Sequence, residues 1–331
     1  MAPHALIAIA GGLLSAFFTL AFAGGSALGV LFAYVAPLPL FLVALGLGLR
    51  SVLIASGIGV IAIAFFGGLL SSSMYCLLYV LPAYIICKAT KETNNDISSS
   101  TSDENNQRVG QILVALSMSS AIVFVIAVIV ADTTGFTKVT LNELITETIT
   151  KSLPTLQDIN RNNLINIIFK IITSPFFPGV CSSSWIILVI INAVIAQGLL
   201  VQLNKNIQPS PSYKNFSLPS WWSWPLVLAA SLSLFGMFLQ YNSIEFLGRN
   251  LTMMLAIPYF FLGLAVVHRL ASQTRFKWLY LSLMYFTLLA SGNPEKPHWA
   301  AILITGIGVF EHWFDIKNIA KLIRKITNAD K

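Results

Sequence analysis

A chain of 331 residues that is 56% hydrophobic and only 10% charged, with a mean hydropathy of +0.77, is too apolar for a soluble domain of its size and reads as a polytopic membrane protein. Its net charge of +7 does not point to nucleic acid, because the basic residues lie at the ends of apolar runs rather than on one face, as positive-inside topology requires. The three cysteines, Cys76, Cys87 and Cys181, have no CxxC or Cys/His spacing, so neither a zinc site nor a disulfide framework is signalled and no cofactor is expected.

Taking about 20 apolar residues per spanning helix, the chain offers ten candidates: 5–23, 27–49, 51–70, 73–89, 110–131, 182–203, 222–241, 250–270, 276–292 and 298–314. The last two are short, so eight to ten spans are expected in an all-α helix bundle. The first run ends in the small-residue pattern Ala21-Phe22-Ala23. It lacks a basic n-region and is read as a retained helix. With both termini on one side, that side holds all Lys and Arg except Lys138, Lys151, Arg161, Lys170, Arg249 and Lys296, that is 20 − 6 = 14 of 20. The charge rule then makes both termini cytoplasmic in a multi-pass protein of a bacterial inner membrane.

Four parts follow: an N-terminal block over 1–131, a segment over 132–181, a C-terminal block over 182–315 and a basic tail over 316–331. Within the first block, residues 90–108, "TKETNNDISSSTSDENNQR", are polar, have no apolar period and read as a disordered cytoplasmic loop. In the second part, Leu141, Leu144, Ile145, Ile149 and Leu153 fall near helical spacing, and "NLINIIFKIITSPFFPG" carries a second stripe that Pro175 and Pro178 stop. Two amphipathic helices are expected there, lying on the periplasmic interface or covering the bundle.

Small residues are patterned on the first two helices: Ala8, Gly12 and Ala16, then Gly25, Gly29 and Ala33, each recurring every four positions. Such stripes let helix backbones approach closely in lipid, either within the bundle or against a partner protein. Pro37 and Pro39 interrupt the second span near its middle. Neither can donate to the carbonyl four residues earlier, Ala33 or Val35, and the chain over 36–38 is expected to kink or unwind. Two readings stand. The break is a kink whose carbonyls are met by a neighbouring hydroxyl or by water, or it lines a substrate cavity, as broken helices do in transporters. Asn192, Gln197 and Tyr259 are the polar side chains that would join such a cavity; taken singly, each also reads as an interhelical hydrogen bond.

No acid falls at a helix centre, which disfavours a proton pump built on buried carboxylates. The sequence also lacks G-x-x-x-x-G-K-[ST], H-E-x-x-H and G-x-S-x-G, so transport driven by ATP would need a partner ATPase subunit. The titratable groups of interest are Glu245 beside Arg249, and His268, Arg269, Glu311, His312 and Asp315 at the cytoplasmic edge. That edge and the tail make a basic, amphipathic border suited to anionic headgroups or to partner docking.

Three stretches, "APLPLFLVALGLG" (36–48), "PYFFLGLAVVHRLA" (258–271) and "GVFEHWFDIKN" (308–318), resemble the YybS-like predicted bacterial membrane proteins, particularly their alphaproteobacterial members, whose shared domain has no assigned function. Ile316-Lys317-Asn318 stand where that pattern leads us to expect an arginine after the Asp-aromatic pair. The family is distantly similar to the substrate-binding membrane subunits of energy-coupling-factor transporters. That similarity implies a small molecule bound within the bundle and docking on a partner through Ala8, Gly12 and Ala16. A small-molecule-binding, transporter-like subunit without its own ATPase is the leading expectation. A structural or assembly protein that holds partners through helices one and two and the basic tail is the alternative. A membrane enzyme acting on lipid-linked substrates, with Glu245, His268, Glu311 or His312 as acid–base groups, comes third.

Overall fold

A computed structural model of the chain describes residues 3–23, 27–91, 102–135, 138–152, 158–207, 213, 216–290 and 299–314. All regular structure among them is helical: α1 (Pro3–Ala23), α2 (Ala27–Val35), α3 (Leu38–Leu47), α4 (Leu49–Tyr75), α5 (Leu81–Lys91), α6 (Ser102–Thr133), α7 (Lys138–Ser152), α8 (Asp158–Ile172), α9 (Phe177–Gln202), α10 (Ser223–Phe238), α11 (Asn242–Ala271), α12 (Lys277–Ala290) and α13 (Trp299–Phe314). Seven stretches among the described residues are long and apolar enough to cross a membrane: α1, α2 with α3, α4 through α5, α6, α9, α10 with its leading turn, and α11. The chain is an all-α polytopic bundle.

The third of those stretches, Leu49–Ala89, runs for 41 residues and holds two passes. Gly68 interrupts α4 with φ 83° and ψ 171°. Ser72 Oγ then donates to the Val60 carbonyl at 3.2 Å, and a Cβ on Gly59 would meet the Tyr75 hydroxyl. A straight helix would hold residues 60 and 72 about 18 Å apart, so the chain turns back at Gly68 as a helical hairpin. The expected division into spans 51–70 and 73–89 corresponds to this turn. The second arm passes through a π-helical turn at Cys76–Val80 into α5. Pro82 has no N–H for the Leu78 carbonyl, which instead accepts from Trp185 Nε1 of α9 at 3.0 Å.

α5 runs to Lys91 and α6 starts at Ser102, so residues 102–108, expected within a disordered loop, are helical. The polar run there extends a helix already nucleated by the apolar sequence that follows. Residues 92–101 and the tail 315–331 lie outside the described residues. The two helices expected in 132–181 are α7 and α8. They pack on each other through Ile145, Ile149 and Ile165, joined by Leu141, Leu164, Ile168, Phe169 and Ile172, whereas Leu144 faces outward. Leu153 lies outside the described residues.

The chain clusters into two compact units. The first comprises residues 1–92, 118–210 and 228–254; in it α3 packs against α1, α4, α5 and α9, and α1 also packs against α2 and α4. The second comprises residues 93–117, 211–227 and 255–331, with α12 beside α13 and the C-terminal half of α11 against α13.

Candidate functional site

The break at Pro37–Pro39 lies in the first unit. α2 stops at Val35, residues 36 and 37 form a turn with Pro37 at φ −74° and ψ −18°, and α3 resumes at Leu38, so the interruption expected from the two prolines is present. Its side chains are withdrawn from solvent. Ala36, Leu40 and Phe41 are fully buried, and Pro37 and Pro39 are buried with them. Ser15 Oγ of α1 donates to the Ala36 carbonyl at 2.7 Å, and the Tyr75 hydroxyl donates to Ser15 Oγ at 2.9 Å. Asn192 Nδ2 of α9 donates to the Tyr34 carbonyl at 2.9 Å and to its own Leu188 carbonyl at 2.9 Å. The side chains that reach in therefore take the Tyr34 and Ala36 carbonyls, one residue beyond each expected position, because the turn removes helical pairing from its neighbours as well. Ala33 and Val35 are partly exposed. Asn192 and Gln197 are both buried, and one neutral acceptor, Asn192 Oδ1, has no partner among the described residues.

The small-residue stripe of α1 is spent inside the same unit. Ala8 and Ala16 are buried, and a Cβ on Gly12 would collide with the backbone of Ala55. Gly29 meets the Ala21 carbonyl in the α1–α2 hairpin in the same way. Of the expected docking positions, Ala8, Gly12 and Ala16 thus present no surface to a partner, and Gly25 lies outside the described residues. Glu245 pairs with Arg249 one helical turn on, and the Arg249 guanidinium lies 4.8 Å from the Phe176 ring centroid.

The second unit holds the ionisable cluster. A Cβ on Gly263 would collide with the Ile304 carbonyl, and one on Gly308 with the Tyr259 carbonyl, so α11 and α13 approach closely enough for only glycine to fit. That approach sets Arg269 Nη2 at 2.6 Å from Glu311 Oε1. Glu311 is 7% exposed, and its Oε2 is buried without a hydrogen-bond partner among the described residues. Beside the pair, the fully buried Tyr259 meets the His312 ring edge-on at 5.4 Å. Ser223 Oγ accepts from the Tyr259 hydroxyl at 3.4 Å and from Trp313 Nε1 at 3.1 Å, and His312 hydrogen-bonds the Ser220 backbone. Trp222, next in sequence, is fully buried, and its Nε1 also has no partner among the described residues.

His268 stands on the same end of α11. Its Nδ1 lies 2.8 Å from the Leu264 carbonyl, which can only accept, so a neutral His268 carries its proton on Nδ1 and accepts from the Tyr285 hydroxyl on Nε2 at 3.1 Å. Sequence reasoning named Tyr259, His268, Arg269, Glu311 and His312 one by one; the structure pairs Arg269 with Glu311 and Tyr259 with His312, while His268 meets Leu264 and Tyr285 instead. Asp315 lies outside the described residues. Trp222, Ser223 and Trp313 were missed: "SWWSWP" at 220–225 reads as an interfacial aromatic belt, and nothing in it signals a donor turned inward. No group of three or more His, Cys, Asp or Glu side chains suited to a metal occurs among the described residues.

The chain belongs to the predicted membrane protein family DUF2232, whose family model matches residues 13–310. No curated protein and no solved structure matches it.

Proposed function

We propose that the protein is a small-molecule-binding, transporter-like membrane subunit without an ATPase of its own, and that its ligand sits at the α11–α13 pair rather than at the helix break. The observation that carries this reading is Glu311, a carboxylate buried between two helices with one oxygen held by Arg269 and the other unpartnered among the described residues. Ionisable groups buried in a membrane bundle are expensive and mark substrate or ion pathways by default. A structural pair would saturate both oxygens, because a half-satisfied buried carboxylate is worse than an apolar core. The break at Pro37–Pro39 is set aside in this reading, since hydroxyl and amide donors already take the Tyr34 and Ala36 carbonyls there.

The resemblance to YybS-like proteins, and through them to the substrate-binding subunits of energy-coupling-factor transporters, supports the same class of function. On the distribution of Lys and Arg, the α11–α13 end faces the cytoplasm of a bacterial inner membrane. Docking on an ATPase partner through α1 is not part of this reading, because its small residues are buried against α4.

Native mass spectrometry of the detergent-purified protein tests the proposal. It predicts a stoichiometric small-molecule adduct that is retained by Ser15→Ala and lost in the Arg269→Met/Glu311→Met double variant. An adduct lost in Ser15→Ala and retained in the double variant returns the site to the break.

A further inference from the structure

The α7–α8 hairpin takes no part in the α11–α13 pair or the helix break. Only residues 153–157 separate its two helices, which therefore run antiparallel, and they pack on each other through Ile145, Ile149 and Ile165. A residue advances about 100° around an α-helix, so Leu144 lies about 100° behind the centre of the α7 contact face that Leu141, Ile145 and Ile149 define. Ile167 and Ile171 trail the contact face of α8 in the same sense. Two antiparallel helices in contact turn in opposite senses when viewed from one end, and their contact faces also point in opposite directions, so the two trailing flanks fall on one broad side of the hairpin. On that side Leu144, Ile167 and Ile171 are 48%, 57% and 50% exposed. The other side carries Asn142, Thr146, Asn162 and Asn166, all exposed. The hairpin is thus a two-helix layer, apolar on one broad side and polar on the other.

Its attachment decides what meets the apolar side. α7 follows α6 after residues 134–137, and α9 follows α8 after residues 173–176, so both ends of the hairpin are tied to spanning helices. A connection of four residues reaches at most about 14 Å, which keeps the hairpin at the membrane. Ile129 and Val130 near the end of α6 and Val180 near the start of α9 are exposed on spanning helices and face lipid. The α8–α9 corner is held in place: Asn250 Nδ2 of α11 donates to the Pro175 carbonyl at 2.9 Å, and Asn250 Oδ1 accepts from the Gly179 N–H at 2.8 Å. A hairpin standing upright in water would keep exposed apolar groups at its base alone. Here Leu144 and Ile167 lie in the middle of their helices, so the apolar side runs along the layer, as in helices that lie in the interface plane. Residues 132–181 hold four acidic and four basic side chains, which cancel, so charge does not call for an anionic surface.

We infer that the α7–α8 hairpin lies flat in the membrane interface, with Leu144, Ile167 and Ile171 among the acyl chains of a zwitterionic lipid surface and its asparagine side toward water. In that position it fixes the depth at which α6 and α9 end.

Nitroxide labels test this on the full chain in phosphatidylcholine vesicles. They are placed one at a time through Leu144→Cys, Ile167→Cys, Ile171→Cys, Asn142→Cys and Asn166→Cys, all at exposed positions outside the hairpin core, with Cys76→Ala and Cys181→Ala in the background and the buried Cys87 left in place. The readout is the ratio of collisions with oxygen, which concentrates among acyl chains, to collisions with a water-soluble nickel chelate. It should be several-fold higher at 144, 167 and 171 than at 142 and 166, and should stay so when phosphatidylglycerol replaces part of the lipid. Equal ratios at all five positions put the hairpin in water and overturn the inference. Shielding of 144, 167 and 171 from both reagents means that protein covers this side, either the bundle or a second copy, and overturns it too. Immersion that appears only with phosphatidylglycerol assigns the attachment to charge and contradicts it.

Discussion

Ser15 and Ala36 lie 21 residues apart in the chain, yet the Ser15 hydroxyl donates to the Ala36 carbonyl at 2.7 Å where the prolines have interrupted the second span. The same hydroxyl accepts from Tyr75. A broken helix in lipid has to find partners for its carbonyls in neighbouring helices, and this pair ties the break to α1. Ser15→Ala leaves both the Ala36 carbonyl and the Tyr75 hydroxyl unpaired and should destabilise the protein by about 1–3 kcal/mol. Tyr75→Phe keeps the Ser15–Ala36 bond and should cost about 1 kcal/mol or less in hydrogen bonding. Thermal unfolding in detergent, with the two variants in parallel, measures the order; the reverse order would assign the joint to Tyr75.

Gly68 turns the α4 hairpin at φ 83°, in the left-handed region where a Cβ is strained. Gly57, by contrast, has open space where a Cβ would stand. Gly68→Ala should cost about 1 kcal/mol or more, and Gly57→Ala should leave stability unchanged or slightly improved. Equal effects in the same melting assay would place the turn elsewhere.

These two glycines also mark how far the sequence was legible. Hydropathy located every spanning run, because each residue contributes independently to burial in lipid. The prolines located the break for the same local reason. What joins the runs depends on distant partners and was not legible: Ser15 with Ala36, Trp185 with Leu78, and Arg269 with Glu311, which is 42 residues away. The small-residue stripe of α1 was visible, but whether Gly12 faced a partner or Ala55 depended on how α1 and α4 pack, which no local pattern in either helix states. Residues 102–108 misled because a polar run without an apolar period is silent about a helix propagating into it from the apolar side.

The α11–α13 approach sets the ion-pair geometry. Gly308→Ala forces a methyl group onto the Tyr259 carbonyl and should separate the helices, lowering stability and ligand retention together, whereas Gly306→Ala, where a Cβ meets nothing, should change neither. Melting and native mass spectra of the two variants check this. Loss of retention in Gly306→Ala alone would contradict it.

Removing one member of the pair strands the other. Arg269→Ala should destabilise by about 3–5 kcal/mol, because the Glu311 carboxylate is left buried without its cation. The double variant Arg269→Met/Glu311→Met removes both charges and should recover most of that loss. Stability and binding then part company: the double variant melts near wild type and holds no ligand. A pair kept for stability alone would lose nothing but stability in either variant.

The most direct measurement is a density map of the purified protein at a resolution that shows side chains. The account predicts non-protein density against Glu311 Oε2, and none within the turn at Pro37–Pro39. A map in which Glu311 Oε2 is paired with another residue of the chain, such as one from the basic tail, and the α11–α13 seam is filled by protein alone would contradict it.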